Sequence, residues 1–133
     1  MTHRPCTYVF AVPRQALVKI GHSSNLPKRR YAIRWGEVRS YTPDEISYGD
    51  FICVVQFGLI EHAKAAERRC QAELALFRVR YIKPIQSTRA GGRPEWFECS
   101  HETAVSSLVK VAKAIDRGVV ITNLLGAPLF DLT

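Results

Sequence analysis

The chain has 133 residues, 47% of them apolar, enough to enclose one hydrophobic core without help from a metal or a disulfide. No stretch reaches the ~18 apolar residues of a membrane span, and no basic start leads into a long apolar run, so the expectation is a cytoplasmic protein with no membrane partner. The formal charge is +7, and residues 1–40 account for it: eight Lys or Arg stand there against one acid, Glu37, while the rest of the chain balances eleven against eleven.

A cationic excess confined to one end points to a polyanionic partner, with a basic face that only aids solubility as the plainer alternative. Cys6, Cys53, Cys70 and Cys99 are too far apart for any CxxC pair and each adjoins an apolar stretch, which reads as four buried free thiols.

In chain order, Thr7 to Val12 is β-rich and ends at Pro13, and Ala16 to Gly21 is a second apolar run after a tight connection, so a β-hairpin is expected. Ser24 or Asn25 can cap the next helix, Pro27 suits its first turn and Gly36 can end it. That helix would be short and very basic, carrying Lys28, Arg29, Arg30 and Arg34, with Ile33 inward. A strand, turn and helix between Lys19 and Arg29 could turn both toward one phosphate, where a helix start already favours negative charge. Residues 37–50 are polar and proline-marked and read as a loop.

Phe51 to Leu59 is the strongest strand candidate and reads as a central one, because Ile52, Val54, Val55 and Phe57 are too apolar to leave both faces wet. Glu61 to Phe77 lacks Gly and Pro and reads as a helix with Ala63, Ala66, Cys70, Leu74 and Phe77 inward. Lys83 to Pro94 is a basic loop carrying Arg89 and Arg93, and Trp96-Phe97 returns to the core. Positions 105, 108, 111, 112 and 115 recur at helical spacing within 102–117, and Gly118 can stop that helix. The apolar tail 119–133 is open to three uses: an edge strand, a dock on a second subunit, or core.

Glu67 lies at the margin of the stripe formed by Ala63, Cys70 and Leu74, so its carboxylate points to a partly enclosed surface and needs a partner. The candidates are a divalent cation, an arginine of the basic helix, or Lys64, Arg68 or Gln71 nearby; Glu73, on the opposite margin, is equally acidic. His22, just after Gly21, is a candidate for proton transfer or simply a surface turn residue. Trp96 is expected in the core, whereas Trp35, with Tyr31 one helical turn before it, is open to packing or to stacking on bases.

The order Tyr8-Val9-Phe10, Lys19-Ile20-Gly21, Asn25, Arg29, Glu67, Arg78-Val79-Arg80 and Glu95-Trp96-Phe97 resembles the GIY-YIG nuclease superfamily. It is most similar to a small phage and bacterial branch whose second motif reads KIG and whose end reads EWF. The resemblance covers about residues 7–98 and leaves the last helix and the tail, 100–133, outside the core of a single 1–133 domain. It implies an α/β (α+β) fold with about three antiparallel strands flanked by helices, and hydrolysis of DNA phosphodiester bonds with one divalent metal, Mg2+ or Mn2+.

By the same resemblance, Glu67 takes the position of the metal-binding carboxylate and Arg29 that of the arginine steadying the scissile phosphate, with Arg30 one step along. Lys19 replaces the tyrosine of YIG. Phe10 occupies the position of the tyrosine in GIY, so Tyr8, two residues earlier on the same strand face, is the remaining hydroxyl for water activation. Gln71 stands where relatives often have His. The expected catalytic set is therefore Tyr8, Lys19, Arg29 and Glu67, with Lys28, Arg30, Arg34, Arg89 and Arg93 contacting nucleic acid. The alternatives are a catalytically degenerate DNA- or RNA-binding module, and a small interaction protein dimerising through its C-terminal region.

Overall fold

The computed structural model describes residues 4–12, 14–29, 33, 49–79 and 96–124. Alternation of apolar side chains in the first hairpin produces β1 (Cys6–Ala11) and β2 (Val18–Ser23), paired antiparallel with Tyr8 opposite Gly21 and Phe10 opposite Lys19. The connection closes through the Val12 N–H on the Leu17 carbonyl at 3.0 Å, with Arg14 left-handed at φ 59°. Next come β3 (Asp50–Gln56), α1 (Ile60–Glu73) and a 3-10 turn (Ala75–Phe77). The two-residue β4 (Trp96–Phe97), α2 (His101–Ile115) and β5 (Val120–Asn123) complete the described elements.

The architecture is α+β, and its antiparallel sheet has five strands where about three were expected, in the order β4-β2-β1-β3-β5. β1 is the middle strand, so the apolar run beginning at Phe51 is interior without being central. Two short strands complete the sheet: β4 beside Val18 and Lys19, and β5 beside β3. The start of the apolar tail is thus an edge strand; 125–133 lie outside the described residues.

Strand alternation sends two sets of side chains to opposite faces of the sheet. Val9, Ala11, Val18, Ile20, Cys53 and Val55 meet Ala63, Ala66 and Cys70 of α1 and Ala104, Leu108 and Val111 of α2. Tyr8, Phe10, Val12, Phe51 and Trp96 pack on the other side with Leu17, Ile33 and Val79. A β-bulge where Val9 faces Cys53 and Phe10 faces Phe51 keeps both sets inward along β3. The Thr7 hydroxyl donates to the Ala63 carbonyl at 2.7 Å and fastens α1 to β1.

The long helix stops at Glu73 and tightens into the 3-10 turn. That rotates Phe77 out of the expected inward stripe, and it is 43% exposed. α2 buries Val105, Leu108, Val111 and Ala112 as its spacing requires, and Ser100 caps it by accepting the Thr103 N–H at 3.1 Å. All four cysteines are buried free thiols. Among the described residues, no helix is long and apolar enough to cross a membrane.

Candidate active site

The site is built on β2 and the turn that leaves it. Gly21 is required there by close approach: a methyl group on its Cα would fall on the Tyr8 hydroxyl and lie 2.6 Å from the ring carbon bearing it. Tyr8 is 1% exposed and stacks edge-on against Phe51 at 4.8 Å between centroids. Lys19 shares this face of the sheet, because its Nζ lies 5.8 Å from the Trp96 ring centre, within reach of a cation–π attraction. It is 5% exposed. Phe10 is enclosed between Phe51 and Trp96.

Beyond β2 the Ser23 hydroxyl accepts the Asn25 N–H at 2.9 Å, and the Asn25 side-chain oxygen accepts the Lys28 N–H at 3.3 Å. Asn25 is therefore the cap of the helical turn at 26–29, one of the two capping residues expected. This turn presents Lys28 to solvent and Arg29 half-buried. Arg30, Arg34, Arg89 and Arg93 lie outside the described residues, as do Tyr31 and Trp35.

Glu67 approaches from the other face. Alternation places His22 on the same side of β2 as Val18 and Ile20, the side covered by α1. There the Nδ1 of His22 meets Oε2 of Glu67. Gln71, one helical turn on, donates to the other Glu67 oxygen at 3.3 Å and to the Ile20 carbonyl at 3.0 Å. Among the described residues β4 pairs with β2 only at Val18 and Lys19, so Gln71 serves the next stretch of that outer edge. The Glu67 side chain is 12% exposed and that of His22 33%.

Glu73 does something different. Lys110 Nζ sits 2.8 Å from one of its oxygens and the Ser107 hydroxyl donates to the other at 2.7 Å. The hydrogen bond from Lys110, and then that from Ser107, hold its carboxyl below the ordinary glutamate value. The two equally acidic margins of α1 are thus distinguished by what they face: Glu73 ties α1 to α2, and Glu67 turns to β2. A cleft on the α2 side, lined by Glu73, Phe77, Ser107 and Lys110 among others, contains none of the expected catalytic or nucleic-acid-contacting residues.

The arrangement brings together Glu67, His22 and Gln71, and separately Tyr8, Lys19 and Phe10 on the opposite face, with the outer edge of β2 between the two groups. Among the described residues there is no cluster of three or more His, Cys, Asp and Glu side chains of the kind that forms a protein-only metal cage. One enclosed carboxylate is the kind of oxygen ligand that would suit a cation keeping most of its waters and taking further oxygens from a phosphate, as Mg2+ does, with the imidazole holding the carboxylate rather than the ion. Glu67 would then exchange one of its hydrogen bonds for the ion.

The His22–Glu67 contact is the feature that sequence reasoning missed. Its signal was the parity of Val18, Ile20 and His22, hidden because Gly21 read as the end of the strand. Residues 6–115 match the family model described as the T5orf172 domain. No curated protein and no solved structure matches the chain.

Proposed function

The chain belongs to the T5orf172 domain family, and from that premise we propose that it binds nucleic acid, DNA above all, and hydrolyses a phosphodiester bond in the manner of the GIY-YIG nucleases its motifs resemble. One observation carries the reading: an enclosed carboxylate, Glu67, held on both oxygens by His22 and Gln71 at the end of the strand that leads into a cationic turn. In a structural helix a glutamate at such a margin pairs with its helical neighbours. Here it keeps one such neighbour, Gln71, and also reaches across to His22 on β2.

In this reading Glu67 holds one divalent cation, Mg2+ or Mn2+, which when bound neutralises charge on the phosphate and the leaving oxygen. His22 and Gln71 fix the direction of the carboxylate. Arg29 lends its guanidinium to the non-bridging phosphate oxygens, where fixed positive charge lowers the barrier most as the transition state becomes crowded. Lys28 contacts a neighbouring phosphate; Arg30, Arg34, Arg89 and Arg93, outside the described residues, are further proposed phosphate contacts. Tyr8, enclosed over Gly21, and Lys19, lying on Trp96, shape β2 from behind in this reading.

A second reading, binding without cleavage, is favoured by Phe10. It occupies the position of the hydroxyl that activates water in the resembling nucleases, and it is fully buried. Supercoiled plasmid incubated with Mg2+ or Mn2+ separates the two. Nicking that stops with a chelator and is reduced at least ~100-fold in both Glu67→Ala and Arg29→Ala supports hydrolysis. Salt-dependent binding with no nicking by the wild type establishes the second reading, and equal nicking by wild type and Glu67→Ala overturns the Glu67 site.

A further inference from the structure

We infer that the exposed side of α1 beside Glu67, carrying Lys64 and Arg68, is a second phosphate-contacting stripe, so that a nucleic-acid backbone crosses Glu67 with cations on both sides of it. The inference rests on the nucleic-acid reading and adds a surface to it, on a different element from the cationic turn at 26–29.

Three observations carry it. First, successive residues of an α-helix rotate about 100°, so starting from the buried line of Ala63, Ala66 and Cys70 the surface passes through Glu67 and Gln71 to Lys64 and Arg68. The side of α1 that faces the outer edge of β2 therefore continues into those two cations. Second, both are exposed, and neither neutralises Glu67, whose oxygens belong to His22 and Gln71. Among the described residues the contacts between basic and acidic side chains are His22–Glu67, His62–Asp116 and Lys110–Glu73, which leaves Lys64 and Arg68 outside any of them. Third, four residues of helix separate them by about 6 Å, on the order of the through-space distance between neighbouring phosphates of one strand.

The chemistry of this face selects the partner. Its one large apolar member, Ile60, packs on the core and so does not offer the apolar face that seats a helix in a lipid surface; the others are Ala65, Ala72 and, at the first turn, Glu61, where the cationic run ends. Arg69 provides an internal comparison. It is exposed and has the same charge on the same helix, but it points about 100° further round, away from Glu67.

The test is binding of a labelled short DNA duplex, without divalent metal, over a series of salt concentrations, by wild type, Lys64→Ala/Arg68→Ala, Lys28→Ala/Arg29→Ala and Arg69→Ala. The α1 double variant is expected to bind on the order of 10-fold more weakly near 0.1 M salt, with the slope of log K against log salt shallower by about 2. Arg69→Ala is expected to stay within about 2-fold of wild type. Thermal melting checks that the exposed substitutions leave the fold intact. If only Lys28→Ala/Arg29→Ala weakens binding, the α1 stripe is wrong and the nucleic-acid reading stands. If neither double variant does, both fail. An Arg69→Ala loss as large as that of Lys64→Ala or Arg68→Ala measured singly would reduce the effect to net charge and overturn the inference.

Discussion

At the scale of single residues, Gly21 matters more than its place in a short motif suggests. It lies within β2, opposite Tyr8, and the Tyr8 ring occupies the space a side chain would take. Gly21→Ala must therefore push Tyr8 toward Phe51, and overpacking of this kind in a closed core costs about 1–3 kcal/mol. Urea unfolding should show that loss, whereas Gly58→Ala, with nothing within 4 Å of the added methyl, should shift stability by less than about 0.5 kcal/mol. Equal costs at the two positions would mean that Tyr8 does not fill the space over Gly21. Glu67 was legible at this scale because helix periodicity alone sets it at the margin of an apolar stripe. Its partner was not, since a histidine after glycine has the local signature of a turn and only the continued strand turns His22 toward α1.

At the scale of elements, periodicity identified the hairpin, the strand starting near Phe51 and both helices, because each buries one apolar stripe or face long enough to repeat. β4 escaped for the opposite reason. Two residues make no period, and Trp96-Phe97 forms a strand only because β2 offers it an edge. The break after Glu73 carries no Gly or Pro, so nothing local announced that Phe77 would turn outward. The contact between α1 and α2 also includes a charge-dependent link, Glu73 with Lys110 and Ser107. Folding lowers the Glu73 pKa, so the link contributes at neutral pH, and the contribution disappears as pH falls through the ordinary glutamate range near 4 and below the lowered folded value. Lys110 is largely exposed, so its worth is under about 1 kcal/mol. Urea unfolding of wild type and Glu73→Gln at pH 7 and pH 3 should show a small deficit for the variant at pH 7 that shrinks at pH 3. A deficit unchanged at pH 3 would assign it to packing rather than to charge.

At the scale of the whole molecule, the charge asymmetry was plain in the sequence, but the way one sheet separates the motif residues was not, because strand parity and helix placement act together only once the chain has closed. The same closure determines the state of the four thiols. Cys6 is on β1, Cys53 on β3, Cys70 on α1 and Cys99 just ahead of α2, so between them they sample the sheet and both helix contacts. Burial pushes Cys6, Cys53 and Cys99 up to about 11 and Cys70 to about 12. Alkylation proceeds through the thiolate, so at pH 8 the folded chain presents almost none, and the reagent cannot reach what little forms. Labelling should then follow opening of the core: none of the four thiols modified in the native protein, and all four modified across the same denaturant range in which tryptophan fluorescence reports unfolding. Quantifying modification at each site by mass spectrometry makes this a test of the architecture. One cysteine reacting well below the transition would mean that its element opens separately from the rest, and early reaction of Cys53, on an interior strand beneath the helices, would contradict the five-stranded arrangement itself.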